Sequence, residues 1–400
     1  MKPSEFPRDI RFRTPGPVLF EGGFAHLRTY QAVRRAMLDS TSAEFTQESS
    51  FWLPPGGRAH LAWYFVWATG TVRADGSPGR HDVLRGLIEP WFRQRAVQAM
   101  RPVIIRLAEE LLAGIVAKGS GRVDIATEFA MPLAVRTVCQ LTGVPADREE
   151  WIAAHLDAAG RTADVDALAR EPAELEEYLR EIVRGRTRSR ADAPIDLIAQ
   201  AWRNGTISEL ECLAYVYGLF HAGTQTTAPH IANYVALLGE FGLLDRARAR
   251  CDDTDWVRRT GEEVLRYCTP FPAAPLLAVA DVRLDDGSEI PAGTPVRAWF
   301  SAANRDQAVN GDNPRGPDPN VFDPDRTPNR HLAFAVGMHH CLGIQLARLE
   351  SVVAVAAALR ALPGLEPDPD SEFVRLAGVN DIVASAPFRF DQHAAENLRC

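Results

Sequence analysis

The sequence predicts an α+β fold that is mainly helical, with its few strands mostly late in the chain. Three observations carry this. Apolar residues recur at helical spacing through most of residues 94–203. One further apolar-periodic run extends from Ser208 to about Leu238. As a single helix it would reach about 46 Å, enough to cross a whole domain. Strand-like stretches bounded by turn residues appear mainly from about Leu276 onward.

Residues 1–50 read as short elements and loops. The segment 94–118 carries Met100, Ile104, Ile105, Leu107, Leu111 and Leu112 at helical period, and 124–143, 148–160, 172–186 and 194–203 show the same pattern. The stretch 161–193 is rich in Arg, Asp and Ala and reads as exposed helices and loops. Ser208-Glu209-Leu210-Glu211 fits a capping box at the start of the long run. Gly218, Gly223 and Pro229 in its middle disfavour a regular helix. Two readings follow: two helices broken here, or one helix kinked beside a ligand. Thr260–Tyr267 is a short helical stretch. Residues 276–284 and 290–300 read as strands, set off by Asp285-Asp286-Gly287 and Pro291-Ala292-Gly293. Prolines and glycines make 307–333 a loop, a last helix runs from near Cys341 to about Leu362, and the chain closes in short strands and turns.

The 400 residues are 46% hydrophobic and 24% charged, which excludes a mainly disordered or fibrous chain. Net charge is −8, from 44 basic and 52 acidic residues, which argues against a general nucleic-acid binder. The cysteines Cys139, Cys212, Cys251, Cys268, Cys341 and Cys400 are scattered with no C-x-x-C pair, which argues against a disulfide framework and a structural zinc site. Met1–Arg13 has charges throughout and no apolar stretch typical of a signal peptide. No run of about 18 apolar residues is present, so no membrane span is expected. The expected location is the cytoplasm.

The sharpest local feature is Phe334-Ala335-Val336-Gly337-Met338-His339-His340-Cys341-Leu342-Gly343, between a Pro/Gly-rich loop and an apolar helix. A cysteine at a helix start has its thiolate favoured by the helix dipole and unpaired N–H groups. Gly337 allows a tight turn, Gly343 lets a flat ligand come close to the backbone, and Phe334 could shield the sulfur from water. This suits a thiolate bonded to a planar metal cofactor. A buried structural cysteine is the plain alternative. A tetrahedral zinc site of His339, His340 and Cys341 has unsuitable spacing.

F-x-x-G-x-H-x-C-x-G resembles the haem-binding signature of the cytochromes P450, the haem-thiolate monooxygenases. The resemblance extends through His331-Leu332-Ala333 before it and Ala347-Arg348-Leu349-Glu350 after it. It implies a single domain over 1–400 with the P450 fold, a long central helix lying over haem and small late sheets. It implies haem b, with Cys341 as the axial thiolate and metal ligand. Phe334, Gly337, His339 and Gly343 would be cofactor contacts.

Other segments follow in the family's order. Glu263-Val264-Leu265-Arg266 resembles its E-x-x-R ion pair, read here as holding the fold. Alone it would be an ordinary surface pair of little worth. Ile290–Val296 and Ala303-Asn304-Arg305-Asp306 continue the sequence of motifs. His81-Asp82-Val83-Leu84-Arg85 resembles H-x-x-x-R, so His81 and Arg85 would hold haem propionates, with His331 as a third partner. Ala222-Gly223-Thr224-Gln225-Thr226-Thr227 resembles A-G-x-acid-T-T, where the central helix bends over the oxygen site. The catalytic candidates are therefore Gly223, Gln225 and Thr226. Thr226 would position protons, or simply bond back to a helix carbonyl.

Two departures stand out. Gln225 replaces the family's acid, and an amide can orient water but cannot carry a proton. Leu276 stands where an arginine commonly meets a propionate, which shifts that burden to His81, Arg85 and His331.

Trp52, Trp63, Trp67 and Trp91 cluster with Tyr64 and Phe65. They could stack on an aromatic substrate or form an aromatic core. The candidate pocket is Trp63, Phe65, Trp67, Phe220, His221, Ala222, Ala273, Leu276 and Ile382, with His221 open between substrate contact and core histidine. The resemblance implies O₂-dependent oxidation of a small, possibly aromatic molecule in secondary metabolism by a monomer. Electrons would come from NAD(P)H through a ferredoxin and its reductase. Arg93, Arg95 and Arg348 are candidate basic contacts for docking. Oxidative coupling of aromatic rings and a non-catalytic helper with this fold are the rival readings.

Overall fold

The computed structural model describes residues 16–38, 44–46, 81–145, 148–160, 173–185, 193–311, 318–376 and 382–398. Strands β1 (Val18–Glu21) and β2 (Phe24–Leu27) form a hairpin across Gly22 and Gly23, at φ 57° and 81°. A two-residue turn of this hand matches the strand twist, and glycine takes it without strain. Helix α1 (Tyr30–Leu38) buries Ala32, Val33, Ala36 and Met37 along one face, and β3 (Phe45–Thr46) is a short edge strand.

Helix α2 (His81–Phe92) buries Leu84 and Ile88 completely, each worth about 1.5–3 kcal/mol. The helix expected over 94–118 is two helices, α3 (Gln94–Ala99) and α4 (Arg101–Ala117). Pro102 explains the break: it has no N–H to give, and its ring opposes the carbonyl four residues back, at Gln98. The helix expected over 124–143 is also divided. Strand β4 (Arg122–Asp124) and a wide turn over Ile125–Ala130 precede α5 (Met131–Thr142). The Asp124 carboxylate stops the strand and starts the turn by accepting the N–H groups of Ala126 and Thr127, at 2.9 and 3.0 Å.

Helices α6 (Glu149–Gly160), α7 (Ala173–Val183) and α8 (Pro194–Arg203) fall close to their expected spans. The long run divides into α9 (Glu209–Thr224) and α10 (Thr227–Glu240). Its start has the capping box: Glu211 N–H donates to Ser208 Oγ at 3.1 Å, and Ser208 N–H to Glu211 Oε2 at 2.7 Å. Its interruption at Gln225 and Thr226 sits three to four residues before Pro229, whose ring opposes the Gln225 carbonyl. Both α9 and α10 are buried over most of their length, so this broken helix runs through the core.

Helices α11 (Leu244–Ala249) and α12 (Thr254–Tyr267) come next, α12 starting six residues before the stretch expected from Thr260 because Asp253 caps it. Strands β5 (Ala273–Ala278), β6 (Val282–Arg283), β7 (Glu289–Ile290) and β8 (Pro295–Trp299) follow. Two short helices, α13 (Phe300–Ala303) and α14 (Gln307–Asn310), lead to α15 (Ile344–Ala361). Strands β9 (Glu366–Pro367), β10 (Val374–Leu376), β11 (Ile382–Ser385) and β12 (Pro387–Arg389), then α16 (Gln392–Asn397), end the described chain.

The main sheet has the order β1-β2-β8-β5-β3. Its strands are therefore not all late: β2 lies parallel to β8, Ala25 opposite Val296. Strands this short carry little local signal, and long-range pairing defines them.

Apolar side chains form two cores. The larger one unites the helices, including Ile104, Phe129, Tyr234 and Leu359. The smaller one lies under the sheet, around Leu27, Leu276, Val296 and Phe300. The segment from His331 to Gly343 bridges them. Leu332, Ala335 and Val336 pack on the sheet core, while Leu342 packs on the helical core. Among the described residues no helix is long and apolar enough to cross a membrane.

Candidate active site

The bridging loop carries Cys341. Its N–H donates to Phe334 O at 2.9 Å, which folds the loop onto itself. Ala335 N–H to Leu332 O at 2.8 Å and His340 N–H to Gly337 O at 3.1 Å tighten it further. Gly337 has φ 79°, and a Cβ there would lie 2.7 Å from Met37 O, so only glycine lets the loop sit on the end of α1. Helix α15 starts three residues after Cys341, with Gly343 as its N-cap.

The helix start does not by itself produce a low-pKa thiol. Burial pushes the Cys341 thiol up, against the Gly343 N–H and the positive charge of Arg85 and Arg348. Thiolate here calls for a stronger positive partner, and a metal ion is one. A Cβ on Gly343 would meet only Cys341 Sγ, at 3.9 Å, so the backbone beside the sulfur is uncrowded. Among the described residues no group of three or more His, Cys, Asp or Glu is placed to hold a metal. The loop therefore offers a single sulfur ligand, not a tetrahedral set.

His81 and Arg85 lie one turn apart on α2 and meet the loop from its other side. The His81 ring is 4.7 Å from that of His339, edge-on, and its Nδ1 is 3.0 Å from Asp82 Oδ1. Arg85 donates to His340 O at 3.0 Å. His339 Nε2 is buried with no hydrogen-bond partner. Burial, with His81 and Arg85 adding to it, holds His339 down at about 4. A buried imidazole nitrogen left open beside a second imidazole and a guanidinium is a place for an anionic group. The residues present thus fit a planar cofactor carrying carboxylates.

His331 is placed differently. Its Nδ1 accepts the Ala333 N–H at 3.3 Å, so its Nε2 carries the proton and donates to Glu262 Oε2 at 3.1 Å. Both ring nitrogens have protein partners, and His331 would reach a propionate only by giving one up. The same Glu262 takes Arg348 in a two-pronged pair at 2.7 and 2.6 Å. Burial alone would raise the Glu262 carboxyl, but the hydrogen bonds and charges of His331 and Arg348 bring it to about 2. Sequence reasoning missed Glu262. Its only signal was its position directly before the E-x-x-R glutamate. Arg93 and Arg95 are exposed, whereas Arg348 is committed to this pair.

Glu263 and Arg266 are both wholly buried and paired at 2.7 and 2.8 Å. Arg266 also donates to Asn304 O and Pro319 O at 3.2 and 2.7 Å, and Arg326 reaches Glu263 at 3.2 Å. Every contact is to protein groups that hold loops, which suits a fold-stabilising role.

The broken central helix presents an accessible stripe. Leu219, Gly223 and Thr226 are half-buried and Ala222 is exposed, on helices buried over most of their length. Their spacing puts them on one face. Thr226 Oγ1 donates back to Ala222 O at 2.7 Å. Gly223 packs α9 on α5: a Cβ would lie 2.6 Å from Val138 Cγ2. Gln225 points away from the stripe, donating to Leu156 O on α6 at 2.8 Å, with its Oε1 unpartnered. Phe220 belongs to the helical core, and His221 lies against Tyr217, ring centroids 5.9 Å apart. Ala273 and Leu276 occupy opposite faces of β5, with Leu276 packed in the sheet core. Ile382 begins β11. Trp52, Trp63, Tyr64, Phe65 and Trp67 lie outside the described residues.

Residues 256–373 match the family model described as Cytochrome P450. The mycinamicin IV hydroxylase/epoxidase of Micromonospora griseorubida is 37% identical over 296 residues, 72% of this chain and 71% of the relative. The chain belongs to the cytochrome P450 family. It is a P450 monooxygenase with the P450 fold. A second relative is the 20-oxo-5-O-mycaminosyltylactone 23-monooxygenase of Streptomyces fradiae, 32% identical over 75% of this chain and 69% of its own. Among solved structures, that of HmtN, a post-tailoring hydroxylase involved in himastatin biosynthesis, superposes with a TM-score of 0.80. It is 25% identical and covers 98% of this chain and 100% of its own. P450 membership implies a haem-thiolate centre.

Proposed function

We propose that this P450 binds haem b with Cys341 as axial ligand and hydroxylates a small secondary metabolite. The Cys341 loop carries the reading: one sulfur beside an uncrowded glycine, with a buried, unpartnered imidazole nitrogen in the same loop. When bound, haem would supply oxygen activation, with the Cys341 sulfur as the protein group that holds its iron. The protein's part is to bind, orient and pass protons. His339, with His81 and Arg85, holds the propionates, and Leu276, packed in the sheet core, takes no part. Thr226 turns its hydroxyl from Ala222 O toward the open stripe to position a proton donor. Gln225 cannot relay a proton, and its amide is engaged by α6, so water bound at Thr226 carries the proton instead. Ala222 and Leu219 form the floor against which the substrate rests.

The relatives named above are hydroxylases or monooxygenases in their own names, which supports oxygen insertion over ring coupling. Trp63, Phe65 and Trp67 are proposed to cover an aromatic or extended apolar substrate. A cytoplasmic ferredoxin, reduced from NAD(P)H through its reductase, delivers electrons near Arg93 and Arg95. The test is a visible absorption titration with glycosylated lactones, indoles, phenols and cyclic dipeptides, followed by product analysis under isotopically labelled O₂. One class should shift the haem from low to high spin and yield a product carrying one labelled oxygen. A substrate that is consumed to a coupled product with no labelled oxygen would contradict hydroxylation.

A further inference from the structure

Glu262 is a single carboxylate that grips both flanks of the Cys341 loop. On the incoming side it accepts the His331 Nε2 proton at 3.1 Å. On the outgoing side it holds Arg348 of α15 by two hydrogen bonds, at 2.7 and 2.6 Å. Arg348 in turn lies over the Phe334 ring, 5.0 Å from its centroid. Phe334 O accepts the Cys341 N–H. A continuous set of contacts thus runs from Glu262 through Arg348 and Phe334 to the backbone of the sulfur-bearing residue.

The arrangement is more specific than a surface ion pair. The Glu262 side chain is 13% exposed and that of His331 7%. A guanidinium held two-pronged is fixed in place, and its carbon is thereby kept over the Phe334 ring. The His331 tautomer is fixed as well, because Ala333 N–H occupies Nδ1. His230 of α10, which lies against Gly261, also feels the Glu262 charge.

We propose that Glu262 is a positioning residue for the Cys341 loop, clamping His331 and Arg348 so that Phe334 and the Cys341 backbone keep one geometry. The proposal rests on the haem-thiolate reading only for its effect on the iron–sulfur bond. Its effect on the loop stands on the contacts alone.

Two readouts on the purified full-length chain test it. The first is hydrogen exchange of peptides covering 331–343 in Glu262→Gln and Arg348→Gln. Exchange there should quicken roughly tenfold, as expected when a hydrogen bond to a charged group is lost, while peptides in β1 and β2 are unchanged. The second is the reduced, carbon monoxide-bound spectrum. The thiolate-type band should decay to the thiol-type band roughly tenfold faster in both variants, with the double variant no worse than either alone. Rescue by Glu262→Asp should be partial, since the shorter carboxylate reaches one flank better than two. Unchanged exchange in 331–343, or exchange raised equally throughout the chain, would overturn the positioning role. A wild-type chain with no thiolate-type band would instead overturn the haem-thiolate reading and with it the effect on the iron–sulfur bond.

Discussion

Glu262 and Glu263 are adjacent on α12, yet they serve different parts of the molecule. Glu263 is 0% exposed and is paired with Arg266 and Arg326, which are buried as completely, and it accepts the Asp323 N–H at 2.9 Å. Glu262 turns the other way, toward the loop that carries Cys341. A charge taken wholly out of water must be completely satisfied, so the Glu263 network tolerates no movement and holds the loops around Asn304 and Pro319. A carboxylate at the edge of the core can hold groups that must fit a ligand. Burial, not residue type, separates the two roles.

That contrast can be broken by removing one charge at a time. Glu263→Gln should cost about 3–5 kcal/mol, the cost of breaking a buried pair, measured by denaturant unfolding. Glu262→Gln should cost about 1.5–3 kcal/mol, in the range of hydrogen bonds to charged groups. Equal losses would erase the distinction.

On the site side, Thr226→Ala should lower coupled product formation roughly 100-fold, the low end for a positioned proton donor, with haem uptake unchanged. Unchanged coupling would remove Thr226 from proton delivery. On the fold side of the same helix, Gly223→Ala should destabilise by about 1–3 kcal/mol through overpacking on Val138. Adding Val138→Ala should return part of that loss, because the two side chains occupy one space.

His230 of α10 lies against Gly261, next to Glu262 in the chain, and its effect on stability depends on pH. Burial holds it at about 4, with His331 adding to this and Glu262 opposing it, against 6.5 in an unfolded chain. The folded state therefore prefers the neutral ring. Stability is unaffected above about pH 6.5 and falls as pH drops from there toward about 4, where the unfolded chain binds a proton the folded one does not. Glu262, lowered from 4.5 to about 2, adds a second loss only below about pH 4.5. Thermal unfolding across this range should show a shallower decline in His230→Gln than in the parent chain.

Much of this was legible in sequence. Periodicity located α8 and α15, and the capping box marked the start of α9, because each depends on neighbours a few residues apart. Pro229 signalled the break in the central run, whereas the break before Pro102 was smoothed over by periodicity. The early strands escaped notice because β2 is defined by Val296 and its neighbours, not by its own four residues. At the site, the resemblance singled out Cys341, His339, His81 and Arg85, which the structure places in and against one loop. It could not show that His331 has both nitrogens engaged or that Gln225 turns to Leu156, since side-chain direction depends on what the fold places alongside. Glu262 was hidden for the same reason. Its partners are 69 and 86 residues away.

The most direct measurement is the carbon monoxide difference spectrum of the reduced chain beside that of Cys341→Ser. The parent chain should show the red-shifted band of thiolate-ligated haem, and Cys341→Ser should lose that band. A parent chain without the band, or a variant that keeps it, would contradict Cys341 as the haem ligand.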